Sequence, residues 1–345
     1  MLRGCCARFV VRNVGEGVRE IDVRCPEVSD GQGGASPHVY CRAFVRPYIA
    51  ALDMAPVMPD LEFFMSWTDC VAFRYVNATV TKLLSSVAIF AQASLGPSLR
   101  QPHSGAPVLV PNMHDLDRIW HFFSLVAVKV GDIPWEEKSD LLLWRGTPAA
   151  QYGEAQKANS SVKCWLSFKH VRWRLVMLST LFPDVLDAKF TRGKSTSWDP
   201  LSRNYSFYED CSATDIEYLE KIGVFGESIE PWQGLRARYV IPAEGSAGHD
   251  DRWLNYARSG SLMLKHEFAC EEWLHAVERP DEHYVRVRGD LSDLVPTLRG
   301  PQSSPAKAKA IAAKQRAFAL EARALPMQWF AFQELVATFA RRIST

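Results

Sequence analysis

The segment Glu244-Gly245-Ser246-Ala247-Gly248-His249-Asp250-Asp251-Arg252-Trp253 reads as the end of a strand, a turn of small residues and the start of a helix. Such a turn lets backbone N–H groups approach a phosphate closely, and the helix N-terminus adds a favourable partial charge. Arg252, in the first helical turn, carries a fork that can grip a diphosphate at two points. The same residues would also serve as an ordinary tight connection. Asp250 and Asp251 repel an anion unless they face away as helix caps.

Trp144-Arg145-Gly146-Thr147 is a second chemical candidate, because it ends a predicted strand, Leu141 to Trp144. In open α/β sheets that edge of a strand is where ligands bind. Arg172 and Arg174 follow on a predicted helix, where a solvated face is the plainer reading. Carboxylates form a third group: Asp60 and Glu62 lead into an aromatic strand-like stretch, and Asp69 lies just past it. A carboxylate in that place can take a proton from an acceptor hydroxyl, although most such residues end strands or cap helices. Asp115-Leu116-Asp117 has a D-x-D form, but Arg118 and Ile119 suggest a helix start there, and no metal is expected. The histidines show no zinc-ligand spacing, and no nucleophile elbow, Walker loop or kinase signature is present.

The elements that must position these residues alternate. Strands are predicted at 61–67, 108–111, 141–144, 185–190, 238–242, 261–265 and 284–287, and helices at 80–95, 174–182 and 251–258. This alternation predicts an α/β architecture with parallel sheets. Residues 1–37 show little apolar periodicity and are expected to be poorly structured. A domain over 38–138 and another over 139–300 follow. Arg299 to Ala306 reads as a linker, with Ser304 as N-cap and Pro305 as the first residue of the next helix. In the tail, over 301–345, Phe332, Leu335, Val336, Phe339 and Ile343 form one helical apolar face, which predicts C-terminal helices packing back on the domains.

The length of 345 residues agrees with two domains at roughly 150 residues each. A formal net charge of +1 gives no global field that would favour nucleic acid. No stretch has the uninterrupted apolar length of a spanning helix, and the N-terminus lacks a signal-peptide pattern. Eight cysteines include no C-x-x-C pair and leave one or two disulfides open. Three of the six asparagines, Asn77, Asn159 and Asn204, open N-x-S/T triplets, an enrichment that points toward the secretory pathway.

The ordered succession of segments resembles glycosyltransferase family 90, which includes protein O-glucosyltransferases and fungal capsule-associated glycosyltransferases. Pro134-Trp135-Glu136-Glu137-Lys138 is similar to the family's W-x-x-K, and Trp144-Arg145-Gly146-Thr147 to W-R-G-S/T. Arg172 to Val176 and Val185-Leu186-Asp187-Ala188 resemble its R-x-x-L and V-D-A segments. Arg238-Tyr239 with Glu244-Gly245 resembles K-Y … D/E-G, and Ser261 to Lys265 resembles S-V-V-L-K. Glu272-Trp273, His283-Tyr284-Val285 and Asp290 to Leu294 complete the set. The order and approximate spacing agree over about 130–300, and more loosely from about 55 onward.

The resemblance implies a GT-B-like fold: two Rossmann-like domains facing across a cleft, the first facing the acceptor and the second holding a UDP-sugar. It implies a metal-independent inverting transferase that moves a glucose- or xylose-type sugar to a hydroxyl of a protein or glycan acceptor, with no cofactor beyond the donor. Residue by residue, it makes Asp69 the catalytic base, and Thr147, Arg172, Gly245, Ser246, Gly248 and Arg252 the UDP-sugar-binding set. It implies the lumen of the endoplasmic reticulum or Golgi. This chain departs from the family at Gly248-His249-Asp250-Asp251-Arg252, which carries two added carboxylates, and at Arg286, where the family has proline. The added carboxylates motivate an alternative, a lapsed transferase acting as a sugar- or protein-binding module.

Overall fold

The computed structural model describes residues 6–15, 18–25, 37–55, 60–66, 89–91, 93–95, 108–109, 118–146, 171–191, 213–243, 250–267, 270–322 and 325–343. The protein is α/β, as the alternation predicts, and it divides into two units. One comprises Met1–Asp117, Ala269–Val277 and Ala322–Thr345; the other comprises Arg118–Phe268 and Glu278–Glu321. Arg118–Gly131 thus belongs with the second unit, and Ala269–Val277 with the first.

The first unit is built on a sheet ordered β2-β1-β3-β4-β6, from β1 (Cys6–Gly15), β2 (Val18–Arg24), β3 (Leu61–Ser66), β4 (Ile89–Ala91) and β6 (Val108–Leu109). β5 (Ala93–Leu95) pairs instead with β12 (Cys270–Glu272). β3, β4 and β6 run parallel, whereas β1 is antiparallel to both β2 and β3. The expectation of little structure over residues 1–37 therefore fails for the hairpin. Its alternation is a strand's: Ala7, Phe9 and Val11 are buried while Arg8 and Arg12 face outward. Phe9 sits opposite Phe63 in register and stacks on it, ring centroids 4.8 Å apart. Phe332 of α9 (Leu325–Ile343) meets Phe63 and Tyr48 edge-on, Tyr48 coming from α1 (Pro37–Asp53). Phe332 and Val336 of the predicted tail face are fully buried there. The helix expected over 80–95 is replaced at its described end by β4 and β5, where Ile89 pairs with Phe64.

The second unit is built on a six-stranded sheet of β7 (Ser139–Gly146), β8 (Leu186–Thr191), β9 (Phe225–Gly226), β10 (Ala237–Val240), β11 (Leu262–His266) and β13 (Val285–Val287). Every pairing in it is parallel. Parallel strands need crossovers. Those described include α3 (Val171–Leu181) between β7 and β8, α4 (Ala213–Lys221) before β9, the short α5 (Pro231–Gly234) before β10, and α6 (Asp250–Arg258) between β10 and β11; α2 (Arg118–Gly131) precedes β7. α7 (Leu294–Ser303) and α8 (Pro305–Ala322) complete the unit. Their side chains Leu294, Leu298, Ala308 and Ile311 join a core with Leu142, Leu186, Tyr239 and Leu264 from the strands. The linker expected over 299–306 is instead the last turn of α7 and the first of α8, with Ser304 between them as predicted. Pro301 is tolerated because Leu294, Val295 and Leu298 anchor the helix through their buried side chains.

Candidate functional site

In chain order the strands of the parallel sheet lie as 6-5-4-1-2-3, which read from the other edge is the doubly wound order 3-2-1-4-5-6. The order reverses between β7 and β10, and in doubly wound sheets ligands bind outside the C-terminal ends of the strands at such a point. β7 ends at Gly146, immediately before Thr147. The chain leaves β10 through Ile241 to Ala243, immediately before Glu244. Both candidate loops therefore spring from the two strands that flank the switch point. Thr147, Gly245, Ser246 and Gly248 lie outside the described residues, as does Asp69. Arg252 is the third residue of α6 and Arg172 the second of α3, so each opens the next described helix after one of these loops.

Arg172 is buried, and its guanidinium carbon lies 5.8 Å from the centroid of the Trp144 ring. The Trp144 indole folds over Gly146, where an added Cβ would come within 2.6 Å of it. Phe190, at the end of β8, meets Trp144 edge-on at 6.0 Å and Trp173 at 4.7 Å. The glycine of W-R-G thus makes room for its own tryptophan, and that tryptophan carries the arginine of the next helix.

Arg145, the middle residue of that motif, points elsewhere. It donates to the Asp187 carboxylate at 2.8 Å, to the Asp187 carbonyl at 2.8 Å and to the Trp144 carbonyl at 3.0 Å. The arginine of W-R-G and the aspartate of V-D-A therefore tie β7 to β8. Lys189 of β8 donates to the carbonyl of Gly223, just ahead of β9. Gly226 lets these long side chains lie across the ladder, since a Cβ there would come within 2.8 Å of the Lys189 stem.

Other motif residues sit at the opposite, N-terminal edge of the sheet. Lys138 is almost wholly buried and donates to the carbonyls of Leu235 and Ser259 at 3.0 and 2.9 Å and to the Ser261 hydroxyl at 3.2 Å. Burial pulls its ammonium down to about 8, aided by the positive Arg316. Arg238 donates to the carbonyls of Trp135 and Glu136 at 2.9 and 3.1 Å, and the Trp135 ring meets Tyr239 edge-on at 6.0 Å. Burial and the Asp140 carboxylate push the Tyr239 phenol up. W-x-x-K, R-Y and the serine ahead of β11 form one lock that sets the starts of β7, β10 and β11. It is remote from the ligand edge and acts on stability.

The remaining candidates are also engaged structurally. Asp60 accepts from the backbone and side-chain amides of Asn13 at 2.7 and 2.9 Å, and Glu62 forms a two-point pair with Arg8. That guanidinium holds the Glu62 carboxyl below its usual range. The His283 ring stacks on Phe318 at 4.4 Å, and its Nδ1 accepts the Arg279 amide at 3.1 Å. Asp290 accepts from the amide and hydroxyl of Ser292, and Asp293 from the Arg288 amide, so the D-L-S-D-L stretch is the turn that starts α7. Among the described residues no three His, Cys, Asp or Glu side chains converge as a metal site would need. Asp115 and Asp117 lie outside them. No described helix is long and apolar enough to cross a membrane.

Reading the sequence missed two features. Trp144 as a support for Arg172 had a signal in the spacing of Trp144 and Gly146 on one strand face. The pairing of Lys265 with Glu278 had a fainter one: a lysine closing the otherwise apolar run Leu262-Met263-Leu264.

No described family's profile matches the chain. An uncharacterised protein, 035R, of invertebrate iridescent virus 3 is 25% identical over 149 residues, which are 43% of this chain but only 13% of the viral protein. Among solved structures, HepE of Anabaena in complex with UDP is similar at a TM-score of 0.44 and 10% identity, over 88% of this chain and 76% of that one. HepE with UDP and glucose gives a TM-score of 0.40 and 10% identity, over 78% and 68%. The sucrose-phosphate synthase of Thermosynechococcus elongatus gives 0.40 and 14% identity, over 79% of this chain and 64% of that one. At these scores and identities the likeness bears on neither substrate nor reaction.

Proposed function

We propose that this chain is a GT-B-like, UDP-sugar-dependent glycosyltransferase of the family 90 type, acting by inversion and without a metal. It moves a glucose- or xylose-type sugar to a hydroxyl of a protein or glycan. One observation carries the reading: the loops at Thr147 and at Gly245 to Gly248 leave the two strands on either side of the sheet's switch point. The helices that follow open with Arg172 and Arg252, the arginines that the resemblance assigns to the nucleotide.

The chemistry follows from this assignment. The acceptor oxygen attacks the anomeric carbon on the face opposite the diphosphate, and the bond from that carbon to the diphosphate oxygen breaks. Asp69 takes the acceptor's proton. Charge gathers on the departing UDP, where Arg172, Arg252 and turn N–H groups take the place of a cation. The disulfide at Cys25 supports work in an oxidising lumen, where such bonds persist.

The test is a UDP-release screen with UDP-glucose, UDP-xylose and UDP-galactose, run with and without EDTA. Release with one of the first two donors, undiminished by the chelator, is expected. Asp69→Asn should remove transfer while UDP still binds. Transfer by that variant at the parent rate would overturn the base assignment. The acidic pair Asp250 and Asp251, at the start of α6, favours the second reading, a lapsed transferase that binds a sugar or a protein. Calorimetry separates the two, because that module would show no affinity for UDP.

A further inference from the structure

A parallel strand buried on both faces is normally a continuous apolar run. β11 is buried along its whole length, yet it ends with Lys265 and His266. The Lys265 ammonium pairs with the Glu278 carboxylate, whose side chain is wholly buried. It also lies 5.6 Å from the centroid of the Trp253 ring and 4.9 Å from that of Tyr284. Burying such a pair is an inefficient route to stability, because apolar side chains of similar size hold as well or better. Its place in the fold suggests another purpose. Lys265 is at the C-terminal end of β11, the strand beside β10, and Trp253 belongs to the first turns of α6, next to Arg252. Trp253 is itself fully buried.

We propose that Lys265 and Glu278 are positioning residues for the diphosphate of the donor: the pair fixes Trp253 from beneath, and Trp253 fixes the orientation in which the first turn of α6 presents its N–H groups and Arg252. The inference rests on the UDP-sugar reading above. The ring quadrupole holds the cation face-on. A rotation of α6 about its axis would break that geometry before it broke the hydrophobic packing. The carboxylate keeps the ammonium over the ring instead of letting it turn toward the incoming anion.

The measurement is UDP affinity by calorimetry, set beside thermal unfolding, in the full chain. Wild type is expected to bind UDP; if it does not, the functional reading falls, and this inference with it. The double variant Lys265→Met with Glu278→Leu is expected to melt close to wild type but to bind UDP about tenfold or more weakly. With donor in a UDP-release assay, its kcat should fall along with its UDP affinity, because the same N–H groups and Arg252 bear the charge that gathers on the departing UDP. A purely structural pair, replaced by apolar side chains of similar size, would leave UDP affinity and kcat at the wild-type level. A folded double variant with wild-type UDP affinity overturns the proposal. If the double variant fails to fold, Lys265→Arg decides. It keeps the charge but displaces the centre of the cation from the ring. Weaker UDP binding at an unchanged melting temperature sustains the proposal, and unchanged binding overturns it.

Discussion

The guanidinium of Arg172 rests over the indole of Trp144, 5.8 Å from carbon to ring centroid, so the first turn of α3 is registered against β7 two residues before its end. Burial of an arginine demands partners for its charge. A tryptophan face supplies one of them. Trp144 is fixed in turn by Phe190 and by the absence of a side chain at Gly146.

Gly146→Ala tests that arrangement. The new Cβ would lie 2.6 Å from one ring carbon of Trp144 and 2.8 Å from another, so the indole must move. Overpacking of this kind costs about 1–3 kcal/mol. It should appear as a lower urea midpoint at unchanged slope. UDP affinity should fall as well, because the indole carries Arg172. A variant with parent stability would show that the ring has room to yield.

The pair of Arg145 and Asp187 invites a double-mutant cycle. The Arg145 side chain is 16% exposed and that of Asp187 36%, so solvent screens the pair in part. A coupling of about 1 kcal/mol is expected. Arg145→Lys should lose most of it, since an ammonium cannot reach the Asp187 carboxylate, the Asp187 carbonyl and the Trp144 carbonyl from one planar group. Full stability in Arg145→Lys would reduce the contact to a surface ion pair.

The parallel sheet was legible in the sequence because its strands are short apolar runs ended by turn residues. Leu141 to Trp144, Val185 to Phe190 and Ser261 to Lys265 all fall on or within a residue of β7, β8 and β11. The hairpin of β1 and β2 was also there to be read, in the strict alternation of Glu20-Ile21-Asp22-Val23-Arg24, but the expectation of little structure over 1–37 passes over it, the segment being short and bracketed by Gly15 and Gly17 on one side and a glycine-rich stretch on the other. α7 was hidden by Gly300 and Pro301, whose local preference for a break is overruled by the burial of Leu294 and Leu298. At the site, motif spacing marked the ends of β7 and β10 but not the division of labour. Which residue of W-R-G packs and which pairs across the ladder depends on β7 and β8 lying side by side, and a single strand's sequence does not carry that. Likewise the role of Lys138 appears only when Leu235, Ser259 and Ser261 are brought round it.

His283 gives a pH signature. Burial lowers the pKa of its imidazole below the ordinary 6.5, with Arg279 and Lys314 adding to the effect and Glu282 opposing it. Its Nδ1 accepts the Arg279 amide, which requires the neutral ring. The folded pKa is the lower one, so the contribution is complete above the unfolded value and is lost as pH falls through the folded one. Relative to His283→Phe, which keeps a ring against Phe318, wild type should lose stability as pH drops below 6.5. Parallel curves for the two proteins in chemical unfolding would contradict this.

Lys138 gives the opposite end of the scale. Its ammonium titrates at about 8 when folded against 10.5 for a free lysine, chiefly because it is buried. Between those values the unfolded chain holds the proton and the folded chain does not, so stability rises with pH across that interval. Below about 8 both states are charged and the penalty of burial is present in full. Tyr239, whose phenol is pushed up, works the other way once the unfolded phenol ionises, so the comparison must be made against a variant that retains it. Lys138→Met is that variant. At neutral pH it should be less stable by about 1–3 kcal/mol, because the carbonyls of Leu235 and Ser259 lose their buried donor. From pH 8 to 10.5 the gap should widen, as wild type alone gains from releasing the proton. A gap that stays constant over that interval would mean that Lys138 keeps its charge in the fold, held by its three oxygen acceptors against the pull of burial.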